Sequence, residues 1–157
     1  MKFHLKSFLL NGEEGQSIVE FALLLPALML ITTGLLVFGV SMNNYLQLTN
    51  AVEVGARAAA IAGGITTDPC ATASSAVIAA APGLTPSKLV FTYSLAGNAE
   101  SGTSCSATSV ENAPAAYLSA GSTVTVTASY PLNLSVFGRK FSATNAVLKA
   151  SATELVQ

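Results

Sequence analysis

Charged residues are scarce in this chain. They make up only 10% of its 157 residues, against roughly 25% in an ordinary soluble domain, so part of the chain is expected to lie in lipid or in a packed assembly. The net charge is −1, and there is no basic run and no acidic tail. This argues against nucleic acid as a partner, since a basic patch is the usual sign of such binding. A simple cytosolic enzyme also fits this composition poorly.

Catalytic and metal-binding groups are missing as well. The single histidine, His4, lies close to the N-terminus, and the sequence has no glycine-rich phosphate loop and no Ser-His-Asp set. The two cysteines, Cys70 and Cys105, are 35 residues apart without a CxxC motif, so neither a zinc site nor a Cys-His nucleophile can be assembled. We therefore expect no enzymatic activity, no cofactor and no metal.

A long uncharged run stands near the N-terminus. No residue from 21 to 52 is charged, and residues 21–40 supply the ~20 apolar positions with which a helix crosses a ~30 Å hydrocarbon core. A secretory signal peptide has a shorter apolar region, so this segment is expected to remain in the mature protein. Lys2 and Lys6 precede it, and no Lys or Arg follows before Arg57. The positive-inside bias then predicts a cytoplasmic N-terminus and an exported C-terminal part.

The same helix is predicted to continue beyond the apolar run, as far as the Gly63-Gly64 pair. Small and apolar residues recur every three or four positions, which is typical of one helix face. Gly55, Ala59 and Gly63 also have the spacing that lets another element approach the backbone closely. The members of this predicted stripe are Tyr45, Leu48, Val52, Gly55, Ala59 and Ala62.

The remainder of the chain is predicted to be a small α+β head. Asp68 and Pro69 are typical of an N-cap and a first helical residue, and Pro82-Gly83 ends the short helix that they begin. Alternation of apolar and hydroxyl side chains predicts strands at 89–95 and 123–130, and a third strand is expected at 145–156.

The segment between the first two strands, residues 96–121, is rich in Gly, Ser, Ala, Asn and Thr. This composition predicts a long exposed loop. The fold class expected for the whole chain is thus α+β, with a long N-terminal transmembrane helix followed by a head that holds a short helix and an antiparallel sheet of about three or four strands.

The residues in front of the apolar run resemble a type IV prepilin processing site. They read Gly15-Gln16-Ser17-Ile18-Val19-Glu20-Phe21 and follow a short leader. By this resemblance a membrane prepilin peptidase cuts after Gly15, and Gln16 becomes the new N-terminus. Glu20, next to Phe21, is the acid that guides docking into a growing filament. More closely, GQSIVEFALLLPALMLI is similar to the TadE-like minor pilins, or pseudopilins, of tight-adherence (Tad/Flp) pili.

This resemblance implies a leader at 1–15, a long helix at 16–64 with its membrane span at 21–40, and an exported head at 65–157. It also implies a single-pass protein of the bacterial inner membrane that is incorporated into an adhesive pilus. The implied partners are the prepilin peptidase, other pilins through the N-terminal helix, the inner-membrane assembly platform with its ATPase, and membrane lipid. The alternative is an uncleaved, membrane-anchored protein whose exported head binds a partner.

Two interpretations at the level of single residues stay open. Glu20 either meets an α-amino group that cleavage frees on a neighbouring subunit, or lies among headgroups where it favours the helix N-terminus. Cys70 and Cys105 either form a disulfide, which an oxidising compartment outside the cytoplasm favours, or are two unpaired buried residues.

Overall fold

A computed structural model describes residues 12–63, 66–105, 118–132, 135–136, 139–140 and 145–157. Most of the predicted leader, with Lys2, His4 and Lys6, lies outside the described residues, as does the middle of the 96–121 segment. The predicted α+β class is confirmed. In chain order the elements are α1 (Gly12–Ile61), α2 (Pro69–Ala80), a 3₁₀ turn (Pro86–Lys88), β1 (Val90–Leu95), β2 (Asn98–Ser101), β3 (Thr123–Pro131), β4 (Ser135–Val136), β5 (Arg139–Lys140) and β6 (Val147–Leu155).

The first part of α1 is an apolar rod without packing partners in the described structure. The helix has 50 residues and is therefore about 75 Å long. It continues through Pro26 without a break. Its hydroxyl side chains donate to carbonyls of the preceding turn, as from Thr33 to Met29 at 2.7 Å and from Ser41 to Val37 at 2.9 Å. Internal bonds of this kind are what lipid requires, because it offers polar groups no other partner.

The second part of α1 carries one side of the head's core. Its buried positions are Leu48, Ala51, Val52, Gly55, Ala56, Ala59 and Ala60. The predicted stripe is thus buried at Leu48, Val52, Gly55 and Ala59, while Tyr45 at its lower end is exposed. Alanines beside the stripe widen the buried face, because both α2 and the sheet pack against this half of the helix.

Helix α2 forms where the Asp-Pro pair predicted it. The Asp68 side chain accepts a hydrogen bond from the Ala71 backbone N–H at 2.8 Å, and Pro69 occupies the first turn. The helix packs on α1 at Gly55, where a Cβ atom would lie 3.1 Å from the Ala73 carbonyl oxygen and would collide with Val77. The small residue at position 55 therefore allows the two backbones to approach, as its spacing in the sequence predicts.

The head's sheet has the strand order β2-β1-β3-β6, and all of its pairs are antiparallel. In β1 the inward residues Phe91, Tyr93 and Leu95 are buried, and in β3 Val124 and Val126 are buried opposite them. The outward positions of β3 and β6 carry hydroxyls that bond across the strands. The alternation in the sequence thus separates a core face from a polar face. Strands β4 and β5 form a separate two-stranded ribbon.

The prediction of a long exposed loop at 96–121 is wrong in its described parts. Strand β2 turns back onto β1 through Ala96 and Gly97, which both have positive φ, so the sheet gains an edge strand. Cys105 and Leu118, at the two ends of the undescribed stretch, are both buried in the core. The few apolar residues of this segment are therefore used for packing, although their number is too small to produce a pattern in the sequence.

Candidate functional site

The predicted assembly residues lie on the first turns of α1. The Gln16 side-chain amide donates a hydrogen bond to the Glu20 carboxylate, with Nε2 and Oε1 3.2 Å apart. Both side chains are exposed, and Phe21 beside them is exposed too. The two residues are one turn apart on a helix, a spacing at which side chains meet. The structure therefore brings the predicted new N-terminal residue next to the predicted docking acid.

Glu20 keeps its full negative charge in this arrangement. The Gln16 amide is a neutral donor, and the ion pair found among the described residues joins Arg57 to Glu154 at the far end of α1. The residues that follow Glu20 along the helix are apolar and exposed for about five turns. A carboxylate at the edge of such a surface is costly to bring into lipid alone, so it favours the approach of a cation.

The predicted cleavage bond, between Gly15 and Gln16, lies inside α1, because the helix begins at Gly12. Proteolysis needs an extended segment, so this first turn has to open before a peptidase can cut it. Two features make opening easy. Glycine costs a helix about 1 kcal/mol relative to alanine, and the sequence has glycine at both position 12 and position 15. The first turn of any helix also has N–H groups without intrahelical acceptors.

A second cluster joins α2 to the end of the β2 segment. Cys70 and Cys105 form a disulfide with an Sγ–Sγ distance of 1.91 Å and a Cα–Cα distance of 5.4 Å. Both residues are buried. Their sulfurs and the Asp68 carboxylate lie within 4.8 Å of one another. The thiolates that a metal ion would need are used up in the disulfide, so this cluster acts as a covalent clip.

Asp68 fastens the same two elements without a covalent bond. While one carboxylate oxygen caps α2, it also accepts from the Cys105 backbone N–H at 3.1 Å, and the Ser104 hydroxyl donates to the other oxygen. Partial burial raises the pKa of Asp68, but hydrogen bonds from Ser104 and from the backbone of Ala71, Cys105 and Cys70 outweigh it. The pKa of this carboxyl therefore lies below its ordinary value.

Two hydroxyl groups complete the attachment. The Ser74 side chain in α2 donates to the Thr103 carbonyl at 2.9 Å, and the Tyr93 hydroxyl donates to the Cys70 carbonyl at 3.4 Å. Burial raises the pKa of Tyr93 to about 12, so this hydroxyl stays protonated and remains a donor. The sequence analysis assigned only the helix cap to Asp68 and no role to Ser74 or Tyr93. The Asp-Pro-Cys adjacency was the available signal, since it sets the cap one residue from the disulfide's own backbone.

Comparison with known proteins gives one match. Residues 15–57 match the family model described as TadE-like protein. This segment is TadE-like. The resemblance proposed from the sequence is therefore confirmed over Gly15, Gln16, Glu20 and Phe21, and it lies wholly within α1. Neither the curated proteins nor the solved structures contain a match to this chain.

The TadE-like segment associates the chain with Tad pili, a structural role and not an enzymatic one. Among the described residues, Gln16–Ile61 is the helix long and apolar enough to cross a membrane, and the TadE-like segment covers nearly all of it. A membrane anchor is the use that fits both findings. The head, with its disulfide and its sheet, lies outside the matched residues, so its role has to be inferred from its own contacts.

Proposed function

We propose that this chain is a minor pilin, or pseudopilin, of an adhesive Tad/Flp-type pilus. A prepilin peptidase removes residues 1–15, α1 holds the subunit in the inner membrane, and the same helix then packs against other pilins in the filament. The observation that carries the proposal is Glu20, a carboxylate without a cationic partner among the described residues. It stands at the start of an exposed apolar helix, inside the TadE-like segment.

Cleavage after Gly15 would supply the missing cation. It would free an α-amino group on Gln16, which is protonated at neutral pH. In one chain that group lies at the helix end while the Glu20 side chain lies on the helix surface, so a neighbouring subunit shifted along the filament axis is better placed to bring the two together. A buried pair of this kind neutralises both charges and fixes the register of the packed helices.

The exposed apolar side chains explain why such a pair is needed. Leu24, Leu30 and Leu35 are all exposed in the single chain. Lipid tails cover them as well as neighbouring helices do, so moving α1 from the bilayer into a filament gains little from the hydrophobic effect. Packing and the charge pair therefore have to favour the filament, with the assembly platform and its ATPase supplying the work of extraction.

The proposed orientation has the N-terminus in the cytoplasm and the head outside it. A disulfide between Cys70 and Cys105 is consistent with this, because disulfides persist in oxidising compartments such as the periplasm. On the filament the head would then be displayed at the surface, at the end of α1 opposite Glu20.

The alternative function is an uncleaved membrane anchor with an exported binding head. One observation favours it: α1 runs without interruption from Gly12 through the predicted cleavage bond. In this alternative Glu20 would remain among lipid headgroups, bonded to Gln16 as in the present structure.

Cleavage distinguishes the two functions directly. In native membranes that contain the peptidase, the wild-type chain is expected to show the intact mass of residues 16–157. Gly15→Ala is expected to keep the leader, because it changes the residue at the cleaved bond and stabilises the helical turn that has to open. Gly12→Ala is the matched control, since it stabilises the same turn away from the bond and is expected to be processed. Equal processing of both variants would contradict a specific site at Gly15.

The role of Glu20 has its own test. Glu20→Gln is expected to leave cleavage intact but to lower incorporation into sheared pili at least about tenfold, because it removes one partner of a buried pair. Glu53→Gln, on the exposed side of the same helix, is expected to be incorporated like wild type. Normal incorporation of Glu20→Gln would show that the carboxylate does not guide docking.

A further inference from the structure

The head reaches down α1 further than the apolar run leads one to expect. Below the first fully buried residue of α1, Leu48, the helix has half-buried positions at Val37, Ser41, Asn44 and Gln47. Their spacing of three or four residues marks one stripe that the head covers. The structure brings the end of β3 and the start of β6 onto this stripe. We define the lower edge of the head as Pro131, Leu132, Val147 and Leu148.

Two open grooves show how far this edge descends. The larger, of about 340 Å³, is lined on the helix by positions from Leu36 to Asn44 and on the head by Tyr130, Pro131, Leu132 and Leu148. The smaller has Phe38, Met42 and Tyr45 on the helix side and again Leu132 and Leu148 on the head side. Since Leu36 and Val37 belong to the last turn of the 21–40 run, the lower edge lies about 5 Å below the end of that run.

A bilayer has to accommodate this overlap in one of two ways. If the head stays wholly outside the hydrocarbon, the core begins near Val37 and extends ~30 Å down the helix, which takes Glu20 about one turn into lipid. If the lower edge enters the boundary layer instead, residues 21–40 span the core and Glu20 stays at the opposite interface. The second arrangement immerses apolar side chains in place of a carboxylate, so it costs less.

The chemistry of the edge fits the boundary layer. Its four side chains are apolar, and Val147 is 55% exposed. Its backbone is paired, because Pro131 is aligned with Val147 and the Leu132 N–H donates to the Ala146 carbonyl at 2.9 Å. Paired backbone is the condition for entering a layer with little water. Exposed Lys149 and the phenol of Tyr45 flank the edge, and such side chains prefer the headgroup level.

We propose that the lower edge of the head docks into the acyl–headgroup boundary of the bilayer leaflet on its own side, and thereby sets the depth at which α1 is inserted. The proposal rests on α1 being a membrane anchor. The bilayer is favoured over a neighbouring subunit as occupant because the floor of both grooves is the membrane-spanning run itself, so lipid that surrounds the span is continuous with them.

The chain contains no tryptophan, so single tryptophans can report depth without interference. Val147→Trp and Leu155→Trp form a matched pair: both residues are exposed, at 55% and 61%, and both lie on the same face of β6. They are eight residues apart, which is about 27 Å along a strand. Leu30→Trp, in the middle of the span, reports whether the anchor is inserted at all.

The full-length variants are reconstituted at one copy per nanodisc in dioleoylphosphatidylcholine, with or without acyl chains brominated near the headgroup. We expect bromine to quench Val147→Trp by about half and to leave Leu155→Trp nearly unchanged, with Val147→Trp emitting at the shorter wavelength of an interfacial site. Leu30→Trp, tested with bromine deeper in the chains, is expected to be quenched as well.

Each other outcome overturns a separate claim. Quenching of Leu30→Trp without quenching of Val147→Trp means that the anchor is inserted but the head does not dock. Absence of quenching in Leu30→Trp refutes the anchor and with it the proposed pilin. A shift of Val147→Trp that occurs only when several copies share a nanodisc assigns the lower edge to subunit contact and overturns docking on lipid.

Discussion

The two halves of α1 are built from different side chains and meet different surroundings. Up to about residue 47 the helix carries large apolar residues that point outward, such as Leu30, which is 69% exposed. From Leu48 onward its inward face consists mainly of alanine, glycine and valine, and Leu48 itself is fully buried. Large apolar residues without a core indicate lipid or other helices as the solvent. Small residues in a core indicate backbones in close contact.

Both halves belong to one continuous helix, so the difference cannot come from the backbone. It comes from what each half is packed against, and it divides the functions proposed for them. The lower half exchanges its partners, first lipid and then other pilins. The upper half keeps one partner, the head, throughout. Substitutions in the two halves are therefore expected to act on different measurements.

The largest contrast is expected from matched leucines. Leu48→Ala should lower the free energy of unfolding of the head by about 2–5 kcal/mol, because it leaves a cavity in the core. Leu30→Ala should change it by less than about 0.5 kcal/mol, since the side chain has no contact with the head. Urea unfolding of the full chain in detergent, followed by the signal of the β-sheet, measures both. A similar loss in the two variants would mean that the lower half also packs on the head.

Two glycines should separate the halves by the sign of their effect. Gly55→Ala is expected to destabilise the head by about 1–3 kcal/mol, because its methyl group would collide with Val77 and press on the Ala73 carbonyl. A Cβ atom at Gly34 would meet nothing within 4 Å. Gly34→Ala should therefore leave the head unchanged and make the helix slightly more stable. Thermal unfolding of the head checks both. A neutral Gly55→Ala would show that α1 and α2 can separate without cost.

The sequence was sufficient to predict the features that depend on local pattern. The uncharged run, the stripe from Leu48 to Ala59, the Asp68 cap and the alternation in β1 and β3 all follow from composition and period. Strand β2 could not be predicted in this way. Its residues Asn98–Ser101 have no apolar alternation, and the turn before it uses Ala96 at positive φ, where asparagine or aspartate would give a recognisable hairpin signal.

Features that join distant parts of the chain were also beyond the sequence. The second use of Asp68, as acceptor for Ser104 and Cys105, depends on a contact between residues 36 and 37 positions apart. Arg57 would have been paired with Glu53 by helix spacing, yet in the structure it pairs with Glu154 at 3.4 Å. In both cases the choice of partner is made by the sheet, which brings β6 and the β2 segment to the helices only after folding.

Acid is expected to produce the smallest effect and to confine it to the head. Because the pKa of Asp68 is lower in the folded chain than its ordinary value of 3.8, its ionised carboxylate stabilises the fold above that pH, and the stabilisation is lost as the pH falls through the folded pKa. Asp68→Asn keeps a helix-capping side chain but removes the charge. Its melting temperature should lie below that of wild type near neutral pH, and the gap should narrow as the solution becomes acidic.

The matched control for this measurement is Glu53→Gln, an exposed acid on α1 without a cross-chain bond among the described contacts. Its gap to wild type should stay constant over the same range. A constant gap for Asp68→Asn would mean that the carboxylate contributes only as a cap. The bonds from Ser104 and Cys105 would then follow from the disulfide, and the covalent clip alone would hold the β2 segment on α2.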